Sequence, residues 1–115
     1  MDTPFPDYVQ VDFSLFNGFK FKLPAVAMGI DDPMIVEIAA EFGESATEPG
    51  MLLAQAWARE QNSATSGFIT SVYVPAKVNE SPAEQGERLF RALNESQDFT
   101  ETLTRFIHLM INSRR

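Results

Sequence analysis

The residues that could do chemistry in this chain are few and scattered. His108 is the only histidine and there is no cysteine. Acid–base catalysis by His108 would need an orienting carboxylate and a nucleophile within reach, and the sequence offers no matched trio. At helical spacing His108 falls on the polar side of a C-terminal helix, opposite the line of Phe99, Leu103, Phe106, Ile107 and Met110. One histidine, no cysteine and no spaced acidic loop supply no metal set, so neither a metal nor any other cofactor is expected. Asp31 and Asp32 could grip a cation, but a helix cap before Pro33 accounts for both. Glu37, Glu41, Glu44 and Glu48 read as a solvated acidic edge. Gly43-Glu44-Ser45-Ala46-Thr47 has part of the outline of a nucleophile elbow, yet it lacks the second glycine and follows an expected helix rather than a strand. No glycine-rich phosphate loop is present. Asn94-Glu95-Ser96 matches a glycosylation acceptor without a secretory context.

Charge narrows the field further. Sixteen acidic against nine basic residues leave a net charge of −7, which opposes non-specific binding to nucleic acid. The basic clusters are Lys20 with Lys22, and Arg114-Arg115. Lys20 and Lys22 alternate with Phe19 and Phe21, but a strand turns those two sets to opposite faces, so one surface does not carry both. Trp57 falls on an apolar helical face and reads as core. No stretch is long and uncharged enough to span a bilayer, and the acidic, proline-broken N-terminus is unlike a signal peptide. A cytosolic location is the expectation.

The elements that must hold these residues begin with a hairpin. Val9, Val11, Phe13 and Leu15 alternate with polar residues, as do Phe19, Phe21 and Leu23 after Asn17-Gly18, the period of strands with one buried face. A three-residue loop, Phe16-Asn17-Gly18, pairs Leu15 with Phe19, Phe13 with Phe21 and Val11 with Leu23, and sets Asp12 opposite Lys22. It collects the apolar alternates on one face and leaves Phe16 at the tip. A two-residue loop mixes polar and apolar side chains on both faces.

Beyond the hairpin, Asp31-Asp32-Pro33 predicts a helix over 33–42, carrying Ile35, Ile38, Ala39 and Phe42 on one side and Met34, Val36 and Ala40 around it, with Gly43 as its stop. Thr47-Glu48-Pro49 predicts another, over about 50–62. Residues 68–74 are aromatic and β-branched and read as a third strand. Ser81-Pro82-Ala83-Glu84 is a capping-box start for a helix over 82–94, with Glu84–Arg88 and Glu87–Arg91 as outward pairs. Asp98 and Glu101 repeat the cap pattern before a last helix over 98–112, whose apolar arc is widened by Leu109 and Ile111.

The expected fold is therefore one α+β domain over 1–115 with an extended arm at 1–7. An N-terminal β-hairpin and a third strand form a small, mainly antiparallel sheet packed against about four helices. Without catalytic groups, the function expected is a non-enzymatic protein–protein interaction module: an assembly factor, chaperone-like adaptor or small subunit. Its partner-binding residues would be Phe16, Met34, Val36, Leu109 and Ile111 on apolar surfaces, and its partner another protein or a second copy, with a dimer the first expectation. The alternatives are an acidic mimic of nucleic acid built on Asp31, Asp32, Glu37, Glu41, Glu44 and Glu48, and a small carboxylate-based enzyme.

Overall fold

A computed structural model describes residues 10–13 and 17–114. Five strands, β1 (Val11–Asp12), β2 (Gly18–Pro24), β3 (Ile35–Glu44), β4 (Met51–Glu60) and β5 (Ser66–Pro75), form one sheet in the order β1-β2-β3-β4-β5, each antiparallel to its neighbours. Two helices follow, α1 (Pro82–Glu95) and α2 (Gln97–Ser113), both against one face of the sheet. The expectation of three strands and about four helices is corrected. The third strand is present as β5, and both C-terminal helices stand close to their expected limits. The segments read as helices over 33–42 and 50–62 are strands β3 and β4.

The reason lies in two periods that both fit one composition. Ile35, Ile38, Ala39 and Phe42 have helical spacing, but Val36, Ile38, Ala40 and Phe42 have strand spacing, and it is the second set that is buried. As a strand, β3 lays these residues beside the apolar alternates of β2, pairing Phe19 with Ala40, Phe21 with Ile38 and Leu23 with Val36. Its glutamates Glu37 and Glu41 then turn to the other face. In β4, Leu52, Ala54, Ala56 and Ala58 are buried in the same alternation. Alanine favours helices in isolation, but pairing on both sides outweighs that preference.

Local signals resolve accordingly. The Asp32 carboxylate accepts from the Met34 N–H at 2.9 Å and ends a turn rather than capping a helix. Before β4, the Ser45 hydroxyl accepts from the N–H groups of Thr47 and Glu48, and Gly50 takes φ +80°. The capping box at α1 forms as expected, with the Glu84 N–H donating to Ser81 Oγ at 3.2 Å and the Ser81 N–H to Glu84 at 3.3 Å. The cap of α2 is Ser96, which accepts from the Phe99 N–H at 3.2 Å, in place of the expected Asp98.

The hairpin register also differs from expectation. Val11 lies opposite Phe21 and Asp12 opposite Lys20, a slide of two residues from the three-residue-loop pairing. A two-residue slide leaves every side chain on its own face, so the hydrophobic pattern cannot select against it. Packing does. The Phe13 ring lies 5.8 Å from Phe19, tilted, and 6.5 Å from Phe90, edge-to-face, against Gly86 of α1, where an added Cβ would lie 2.9 Å from the Phe13 ring. Leu15 and Phe16 lie outside the described residues.

The core fills the space between sheet and helices. Phe19, Phe21 and Phe42 enter from the β2 side, Leu89, Leu93, Phe99, Leu103 and Ile107 from the helices, and the alanines of β4 form the floor between them. Arg88 fastens the β5–α1 connection: it donates to both Glu80 oxygens, at 2.6 and 2.7 Å, and to the Pro75 carbonyl at 2.7 Å, instead of pairing with Glu84. This ion pair holds the Glu80 carboxyl below its ordinary value of 4.5. A depressed folded-state value contributes stability above the unfolded value and loses it as pH falls through the folded one. Glu80→Gln should therefore be less stable than wild type at pH 7, and the difference should shrink steadily below about pH 4.5. Urea denaturation at several pH values would show this, and a constant difference would refute it.

Candidate binding face

Both helices pack on one face of the sheet, and among the described residues no layer covers the opposite, outer face. Strand alternation decides what stands there. One cross-strand row runs Asp12, Lys20, Ala39, Trp57, Phe68, and the next runs Lys22, Glu37, Arg59, Ser66. Farther along, Glu41 meets Gln55, which meets Ser71 on its other side, and Leu53 meets Tyr73. Trp57 and Phe68 form an edge-to-face pair at 5.8 Å, at 74°. Arg59 pairs with Glu37 at 3.0 Å.

This face carries a groove of about 980 Å³ lined by apolar residues, among them Ile35, Ala39 and Trp57, and by the charged Asp12, Lys20, Lys22 and Arg59. Apolar and charged residues lining one groove are the anatomy of a docking surface. The face carries no nucleophile with a base beside it, and among the described residues no three groups of ligating type stand together as for a metal ion.

The residues expected to bind a partner are not gathered into one surface. Met34 is 4% exposed and Val36 0%, both inside the core, where no partner reaches them; this corrects the expectation that they line an apolar surface. Ile111 is partly buried against the core, whereas Leu109 is 69% exposed on the flank of α2. Phe16 lies outside the described residues. His108 is exposed, on the polar side of α2 as expected. The acidic residues are dispersed as well. Glu37 and Glu41 stand on the outer face, Asp32 is bridged to Arg114 at 2.8 Å, and Glu48 sits in the β3–β4 turn.

Sequence reasoning missed Trp57, Phe68 and Tyr73 as surface residues. Trp57 reads as core only while 50–62 reads as a helix. The signal was the even-numbered run Leu52, Ala54, Ala56, Ala58, which turns Gln55, Trp57 and Arg59 together to the other side. Lys20 and Trp57 thus share one row of one face, while Phe19 and Phe21 point into the core.

What the described residues define is an antiparallel meander with both helices on one side of the sheet. Compared with protein-family models, characterised proteins and solved structures, the chain matches none. Among the described residues no helix is long and apolar enough to cross a membrane.

Proposed function

We propose that this is a non-enzymatic protein-interaction domain, an adaptor or small assembly subunit, that docks a partner protein on the outer face of its sheet. The observation that carries the reading is the one-sided cover: among the described residues, five strands have two helices on one face and no element over the other, where Trp57, Leu53, Phe68 and Tyr73 remain outside the core. Each large apolar side chain left in water forgoes roughly 1.5–3 kcal/mol relative to burial, and a partner recovers part of that. Cations are interleaved with carboxylates across the face, Lys20, Lys22 and Arg59 with Asp12, Glu37 and Glu41, which favours a protein surface over an acidic mimic of nucleic acid. A cytosolic setting belongs to the same proposal and rests on the sequence reading alone.

Ala39 provides the test. It is exposed at the centre of the groove and its side chain makes no core contact. Ala39→Arg should fill the groove, leave the circular dichroism native-like, and lower the recovery of the proteins captured by wild type about tenfold or more. Leu109→Asp on α2 should leave recovery unchanged. Equal recovery with Ala39→Arg, or loss with Leu109→Asp alone, would move the interaction surface elsewhere.

A further inference from the structure

The two edges of the sheet are built differently. The β1–β2 edge presents Asp12, Lys20 and Lys22. Strand β5, at the other edge, has ten residues without one charge, and its only proline is the last of them. Native proteins guard free edges with charge, proline, bulges or cover, because unpaired backbone groups template further pairing. β5 has only a bulge, where Ala56 pairs with Thr70 and Trp57 with Phe68, leaving Ile69 between.

Helices close the inner face of β5, and among the described residues no further strand pairs with its edge. An added Cβ at Gly67 would lie 3.1 Å from the Phe106 ring, and the Thr70 hydroxyl donates to Asp98. Among the described residues, the backbone groups of Ser66–Pro75 that receive a hydrogen bond from outside the sheet ladder are two carbonyls. Ser71 is met by the neighbouring Thr70 hydroxyl at 3.5 Å, and Pro75 by Arg88 at 2.7 Å. On the outer side of the same strand, Phe68 is 53% and Tyr73 45% exposed.

We propose that β5 pairs antiparallel with β5 of a second copy about a two-fold axis at Ser71, joining two sheets into one. The ladder itself supplies the register. The β4 partners of β5 run from Met51 to Arg59, and Ser71 lies opposite Gln55, the midpoint. With the axis there, Tyr73 meets Phe68 of the second copy, Val72 meets Thr70, and Val74 meets Gly67. Every pair shares a face, because the bulge at Ile69 restores the parity that a plain count would break. The Tyr73–Phe68 contact forms twice, and cross-strand aromatic pairs stabilise an antiparallel ladder. No like charges come face to face, since the strand has none; the net charge of −7 on each copy is carried elsewhere. This self-complementarity is what a two-fold, isologous contact needs. A foreign strand would gain the backbone bonds without the reciprocal aromatic pairs.

The chain has no cysteine, so an introduced one is unique. Light scattering of the wild type should show about twice the mass of the 12.9 kDa chain. Ser71→Cys should form an inter-copy disulfide under mild oxidation, while Lys22→Cys and Leu109→Cys should not. Ser71→Lys sets two like charges opposite each other at the axis and should weaken dimerisation about tenfold or more. Tyr73→Lys should do the same from the outer face, and keeps the test decisive if Ser71→Lys fails to fold. Ala39→Arg should dimerise as wild type does, which separates this contact from the groove. A monomer throughout the range to about 100 μM, far above a micromolar dissociation constant, would overturn the proposal. So would a dimer that ignores both lysine variants, or one cross-linked through Leu109→Cys but not Ser71→Cys.

Discussion

Phe19→Ala is expected to cost about 3–5 kcal/mol, as for other buried phenylalanines replaced by alanine. Phe19 is fully buried, and its ring lies 5.8 Å from Phe13, 5.9 Å from Phe90 and 6.5 Å from both Phe21 and Phe42. It joins the N-terminal strand, two neighbouring strands and α1 in one cluster, so truncation opens a cavity against elements that cannot all close on it. The adjacent Lys20 points to the outer face, and Lys20→Ala should stay within about 0.5 kcal/mol of wild type. Urea denaturation of the two variants measures the contrast. A loss below about 1 kcal/mol for Phe19→Ala, outside the range for buried aromatics, would mean that this cluster is not packed as described.

The second large effect is on α2. Leu103 is fully buried with Phe99 and Ile107, the stripe by which α2 closes the core under the sheet. Leu103→Ala should cost about 2–5 kcal/mol. Leu109, six residues on, is largely exposed, and Leu109→Ala should change stability by no more than about 0.5 kcal/mol. Reading both by denaturant midpoint also tests how α2 presents itself. The wide apolar arc suggested self-association through Leu109 and Ile111, but the fold takes Ile111 back against the core and leaves Leu109 alone. A single exposed leucine is ordinary on a protein surface. A large loss at Leu109 would mean that it is covered in solution and would return the dimer contact to α2.

Several features are legible in the residues themselves because they depend on near neighbours. The capping box from Ser81 to Glu84 spans four residues and needs no tertiary contact. The buried stripe of α2 follows from a helical period sustained through Phe99, Leu103 and Ile107. The inward face of β2 follows from Phe19, Phe21 and Leu23 alternating with two lysines, and β5 from its aromatic and β-branched content.

What the sequence could not decide was the state of 35–44 and 51–60. There the apolar residues satisfy helical and strand periods at once, and alanine adds a local pull toward helix. The choice belongs to the neighbours. Phe19, Phe21 and Leu23 need a strand to pair with, and Val36, Ile38 and Ala40 meet them on one face, while Ala54, Ala56 and Ala58 continue that face between β3 and β5. The aromatic residues of the outer face were hidden by the same ambiguity, because Trp57 turns outward only in a strand. The hairpin register shows the same limit on a smaller scale. Alternation fixes a strand's face but not a slide of two residues, and Phe13 seated over Gly86 of α1 selects between registers through a contact some seventy residues away in the chain. Local chemistry thus determined the inward face of β2, the start of α1 and the buried stripe of α2. Only the tertiary structure decided which strands exist, how they pair and what they leave facing outward, because strand pairing energy resides in residues distant in sequence.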